Sequence, residues 1–268
     1  MPSSWNPWRG CRKCSTGCLH CYIHKGDAKR GVETSIIKKT EQFYRPIERN
    51  KKGEYKMKSG LVWLCFSSDF LIEEADEWRK EVWDMIRERQ DCSFLFLTKR
   101  IARFLYCIPP DWGDGYDNVY VCCTVENQKT ADERLSLFSS LPIKHKGITA
   151  QPLVEKIDIE KYLNSIDLVT VGGESDKNGR VMDYSWVLDI REQCIRTNTS
   201  FSFRQCSTNF IKDGKLYHLN TRLLMSQAKK ACIDFDVEKL MFQPHNSYKQ
   251  HIATISSMNV MVRFLFYP

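Results

Sequence analysis

Short apolar runs rich in β-branched and aromatic residues alternate along the chain with longer amphipathic stretches. Leu61–Phe66, Ser93–Leu97, Asn118–Thr124, Gly147–Thr149, Leu168–Val171 and Ser200–Phe203 read as strands. Glu74–Arg89, Lys99–Tyr106, Lys129–Leu137, Ile159–Ser165 and Ser185–Thr197 repeat apolar positions at helical spacing. Consecutive strands lie roughly 20 to 35 residues apart, too far for hairpins but enough for a helix to carry the chain back. Repeated strand–helix units of this kind build a parallel sheet with right-handed crossovers. The expected fold is α/β, a partial or complete (β/α) barrel of mainly parallel strands, over residues 1–232. Residues 233–268 leave the alternation and end in the apolar run Val260–Phe266, so they are read as an extension packed on the barrel, as an added strand or a docked tail. Residues 24–60 carry little periodicity and the basic run Lys51–Lys58, which reads as a solvated linker or substrate-facing loop in preference to a nucleic-acid patch.

Composition bounds the class without naming a function. With 268 residues, 42% hydrophobic and 27% charged, the chain can bury a full core, which excludes disorder, collagen and coiled coil. No run of eighteen apolar residues and no basic-then-apolar leader occurs, so a cytoplasmic protein without a membrane partner is expected. The net charge of +7 permits a polyanionic partner without requiring one. Phosphate-loop, His-Glu-x-x-His, nucleophile-elbow and Gly-x-Gly-x-x-Gly motifs are absent, and the six histidines show no paired metal spacing.

The twelve cysteines change the picture, because four of them, Cys11, Cys14, Cys18 and Cys21, crowd into eleven residues. The other eight are scattered, mostly inside apolar runs, and read as small buried hydrophobes. Two Cys-x-x-Cys pairs can close a zinc tetrahedron, but structural zinc sites set the pairs well over ten residues apart, and here three residues separate them. A compact loop suits an iron–sulfur cluster, whose irons sit at separate corners and accept thiolates from close neighbours. Cys14, Cys18 and Cys21 have the spacing Cys-x3-Cys-x2-Cys, and in this the loop resembles the radical S-adenosylmethionine (SAM) superfamily. That resemblance implies three thiolates on a 4Fe-4S cluster and SAM chelated to the fourth iron. It also implies reductive cleavage of SAM to a 5′-deoxyadenosyl radical, with His20 near the adenine.

A longer resemblance runs through Trp5-Asn6-Pro7, Gly10, Cys11, Ser15, Gly17, Cys18, Cys21 and Tyr22. It continues through Ser68-Asp69-Phe70, Leu97–Arg100, Thr124–Gln128, Asp132-Glu133-Arg134 and Gly172–Ser175 with Arg180, Met182 and Trp186. In these residues the chain is similar to the phage-associated three-cysteine-motif proteins, a family of unknown function labelled after phage gene products thirty-seven and sixty-eight. The family pattern implies Cys11, Cys18 and Cys21 as ligands, the superfamily spacing Cys14, Cys18 and Cys21. Cys11 is preferred as the third ligand and Cys14 competes. Two departures, Gln151 where the family has Glu and Cys206-Ser207 where it has Trp-Gly, bear on substrate choice or activity.

The polar tracts follow expected strands, where α/β barrels assemble their sites. Ser68, Asp69, Lys99, Glu126, Asn127, Gly172, Gly173, Glu174 and Ser175, with His20 and Tyr22, are the candidate cofactor contacts. Glu126 and Asn127 are read toward ribose or the methionine carboxylate, and Gly172-Gly173-Glu174 as bare backbone plus a carboxylate for an ammonium or ribose hydroxyl. Each tract also has a plain reading: Ser67–Asp69 as caps of the helix near Glu74, Lys99 and Arg100 as a solvated first turn. The function expected is a radical SAM-like enzyme served by an electron donor such as flavodoxin or ferredoxin. Its substrate is unnamed, with nucleic acid or a nucleotide preferred. The alternative is a zinc- or cluster-stabilised module that binds nucleic acid or protein without catalysis.

Overall fold

The structure, a computed structural model, describes residues 3–237. Seven strands form one sheet: β1 (Ser3–Trp5), β2 (Gly60–Leu64), β3 (Cys92–Thr98), β4 (Val119–Val125), β5 (His145–Ala150), β6 (Leu168–Gly172) and β7 (Ser200–Gln205). Spatial order equals chain order and every neighbouring pair is parallel, the topology of a half-barrel. The helices are α1 (Tyr22–Lys29), α2 (Asp76–Glu88), α3 (Phe104–Cys107), α4 (Gln128–Phe138), α5 (Tyr184–Arg196) and α6 (Leu224–Lys230). Three places differ from the periodicity. The tract at 159–165 winds as a 3-10 helix over Glu160–Ser165, and Lys99–Tyr106 begins helically only at Ile101. β1 is a strand the pattern did not announce, since three residues are too few to show alternation.

The two faces of the sheet have different fates. Val121, Cys123 and Val125 of β4 share one core with Phe94 and Phe96 of β3 and with Ala131, Leu135 and Phe138 of α4. The alternate residues Trp63, Leu95, Leu97, Thr170 and Ser202 are only partly buried and stand outside that core, on the concave side. One strand step below the C-terminal mouth, Thr124, Thr149, Thr170 and Ser202 lie abreast on four adjacent strands.

Residues 24–60 keep the solvated character their charge pattern suggested, Lys51, Lys52, Lys56 and Lys58 being exposed, but the segment is anchored to the fold at a few points. Phe43 and Met57 are buried in the core. The fully buried Arg89 reaches back from α2 to donate to the carbonyls of Pro46 and Met57 while pairing with Asp91. Of the expected C-terminal extension, Asp234–Val237 lies along the free edge of β7, where Phe235 bridges Phe201. Residues 238–268, including the apolar run Val260–Phe266, lie outside the described residues.

Candidate metal centre

The four clustered cysteines sit on one loop laid across the C-terminal ends of β2, β3 and β4. Gly10 starts it with φ +93°, and a Cβ there would lie 2.4 Å from the Ile36 carbonyl oxygen, so only glycine fits. Cys11 N–H then donates to Thr34 O at 2.8 Å, and Ser68 Oγ donates to Gly10 O. A single 3-10 turn, Thr16–Cys18, buries Gly17 and Cys18. Cys14 is exposed, while Cys11 and Cys21 are half-buried.

Four strand ends contribute clamps. After β2, Ser67 N–H is bound by Asn6 Oδ1 and Ser67 Oγ donates to Trp8 O. Asp69 accepts from Thr98 Oγ1 at 2.8 Å, from Lys99 N–H at 3.0 Å and from Arg100 Nη1 at 3.2 Å. After β3, Arg100 Nη2 donates to Arg12 O at 2.8 Å, inside the cysteine loop. After β4, the buried Glu126 carboxylate accepts from Ser15 Oγ at 2.6 Å and from Arg134 at 3.1 Å, and pairs with Lys99. After β6, Glu174 is engaged by the backbone and guanidinium of Arg180, which donates to Thr16 O at 3.0 Å.

This setting polarises the thiols. Cys18 is lowered to about 4, first because Cys14 hydrogen-bonds its sulfur, and against the opposing effect of burial; the Lys99 charge adds to the lowering. Cys14 is raised correspondingly, so the proton of the pair stays on Cys14. Cys11 is pushed up to about 11, by burial first and by Asp69 second, with Arg100 pulling the other way. All twelve cysteines are free thiols, which leaves the loop's four sulfurs available as ligands. Among the described residues no three His, Cys, Asp or Glu side chains converge as ligands of a single ion. The donor chemistry nonetheless fits an iron–sulfur cluster: thiols on one short loop, one already favoured as thiolate, beside two strand-end cations.

A family model described as a protein of unknown function (DUF5131) matches residues 1–240. The chain belongs to that family. No curated protein and no solved structure matches it.

For this family member the structure assigns several candidate residues to work inside the chain. Ser67–Asp69 do not cap α2, which has no side-chain cap; they hold the N-terminal segment. Lys99 and Arg100 are half-buried ion-pair partners rather than a solvated turn. Asn127, read from sequence toward ribose or carboxylate, forms the capping box of α4 with Thr130. A Cβ on Gly173 would lie 2.4 Å from Ser207 N, so internal packing demands that glycine, and one on Gly172 would meet the Gln151 side chain at 2.7 Å. His20 faces Asp176 at 3.8 Å, Tyr22 donates to Phe66 O at 2.8 Å, and Ser175 is exposed.

The site's most informative side chains were not singled out in the sequence. Ser15, Gly17, Arg134 and Arg180 appeared only as resemblance residues; Ser15 meets Glu126 and Arg180 meets Thr16 across more than a hundred positions, which carries no local signal, whereas Arg134 meets Glu126 from eight residues away. Arg204 follows Ser202 on the concave face and stands over the Trp63 ring at 5.7 Å, reaching from the last strand toward β2. Cys232, read as a buried hydrophobe, is exposed.

Proposed function

We propose that the protein is a radical SAM-like iron–sulfur enzyme whose cluster is held by Cys18, Cys21 and Cys11, with Cys14 as the competing third ligand. One observation carries this: the only dense thiol loop of the chain is fastened over the C-terminal mouth of a parallel half-barrel by groups from four different strand ends. A loop needed only for its fold would not require buried carboxylates and cations from so many strands, each costly to desolvate. A 4Fe-4S cluster with SAM on its open iron supplies the one-electron cleavage of a sulfonium to methionine and a 5′-deoxyadenosyl radical. The electron would come from a small donor protein of the flavodoxin or ferredoxin class.

The chain's own groups supply the rest. Ser15, Glu126 and Lys99 orient the turn that carries Cys18, and Arg100 fixes the backbone between Cys11 and Cys14. Beneath the loop, the concave face offers the hydroxyl row Thr124, Thr149, Thr170 and Ser202, and Arg204 beside Trp63 and Tyr22. A cation with an aromatic face and a hydroxyl row, of which Ser202 donates to Asp234 at 3.4 Å, favours an anionic, hydrogen-bonding substrate such as a nucleotide or nucleic-acid segment.

Anaerobic reconstitution is expected to give a brown protein with about four irons per chain, absent in Cys18→Ser. Strong reductant with SAM should then release 5′-deoxyadenosine. Cys11→Ala should lose iron and Cys14→Ala keep it; the reverse moves the third ligand to Cys14. A colourless protein with one tightly held zinc and salt-dependent nucleic-acid binding would establish the non-catalytic module instead.

A further inference from the structure

Asp69 and Arg100 form an ion pair lodged directly against the cysteine loop. The Asp69 residue is buried and held by Thr98, Lys99 and Leu71, while the Arg100 side chain is 15% exposed and hydrogen-bonded to Arg12 O between Cys11 and Cys14. The guanidinium thus touches the backbone between two of the clustered cysteines at 2.8 Å, and the carboxylate stands behind it at 3.2 Å. Neither charge can leave, because each is fixed by backbone contacts in surroundings too dry to screen it well.

Resting on the cluster proposed above, we propose that the Asp69–Arg100 pair sets the reduction potential of that cluster. Adding an electron makes a thiolate-ligated cluster more negative, so a fixed cation nearby stabilises the reduced form and a fixed anion the oxidised form. The two partners therefore pull one quantity in opposite directions. Removing the guanidinium leaves the carboxylate facing the cluster unopposed. Removing the carboxylate's charge leaves the guanidinium unopposed.

The test is a redox titration of the anaerobically reconstituted full-length protein, following the reduced-cluster paramagnetic signal against poised dithionite, together with iron per chain. Arg100→Gln should lower the potential and Asp69→Asn raise it, each by about 59 mV, a tenfold change in the one-electron equilibrium. Arg100→Lys, which keeps the charge, should stay near wild type. Shifts in the same direction, or none, at wild-type iron content overturn the proposal. So does loss of iron in folded Arg100→Gln and Asp69→Asn alike, which assigns the pair to holding the loop. Failure of the wild type to take up iron instead overturns the cluster reading itself.

Discussion

At the scale of single residues, the contact between Gly17 and Glu126 is the tightest fit in the site. A Cβ on Gly17 would lie 2.3 Å from Glu126 Cγ, and that carboxylate is pinned by Lys99, Arg134 and Ser15. The loop must therefore move if the residue is enlarged. Gly17→Ala should cost about 1–3 kcal/mol, the usual range for overpacking, and loosen iron binding. Thermal unfolding of the apoprotein and iron retention under chelator both report it; unchanged values would mean the loop is not clamped here. Burial alone would raise the Glu126 pKa, but Lys99 and Arg134 outweigh it and leave the carboxyl below its ordinary value. A folded-state pKa below the unfolded one means the unfolded chain binds more protons, so stability rises with pH through this window. The contribution is complete above the ordinary carboxylate value of about 4.3 and is lost as pH falls through the depressed one. Glu126→Gln should flatten that acid limb in urea titrations between about pH 5 and 3, besides lowering stability by roughly 3 kcal/mol at neutral pH through the stranded cations.

At the scale of elements, the helices and strands serve as mounts for the strand ends. Asn127 caps α4 by accepting from Thr130 N–H at 2.9 Å, and α4 in turn delivers Arg134 to Glu126. Asn127→Ala should cost about 1 kcal/mol in urea unfolding and leave SAM affinity of the reconstituted protein unchanged. A tenfold weaker SAM affinity at unchanged stability would return Asn127 to the ribose role its position suggested. β1 shows the same logic at the N-terminus. Its Trp5 is fully buried against Phe94, with its indole N–H bonded to the carbonyls of Gln42 and Phe43, so the strand that precedes the cysteine loop is fixed before the loop begins.

At the scale of the molecule, the segment between α1 and β2 is tied to the barrel's outer layer by Arg89. Its guanidinium, fully buried, bonds Met57 O at 2.9 Å and lies 4.1 Å from the Tyr55 ring. Arg89→Met should lower global stability by about 3 kcal/mol, because two carbonyls lose their donor inside the protein. Protease sensitivity within residues 44–58 should rise with it, and resistance equal to wild type would show that the segment holds without this tether. No helix among the described residues is long and apolar enough to cross a membrane.

The parallel half-barrel was legible in the chain because β3 and α2 repeat burial at fixed periods, as burial on one face demands, while β4 reads as a continuous apolar run because both its faces are buried. The cysteine loop was legible for a related reason: metal-type spacing is a local property. Which face of the sheet became core, and what Ser68, Asp69, Glu126 and Glu174 do, was not. Those carboxylates and hydroxyls look like ligand contacts in one dimension: Arg134 and Arg180 lie only eight and six residues from Glu126 and Glu174, but Gly10, Arg100 and Ser15 reach Ser68, Asp69 and Glu126 only when the fold brings strand ends and the cysteine loop to one mouth. A buried charge has to be matched by another, and the position that matches it is set by the packing of the whole sheet, which no window of sequence contains.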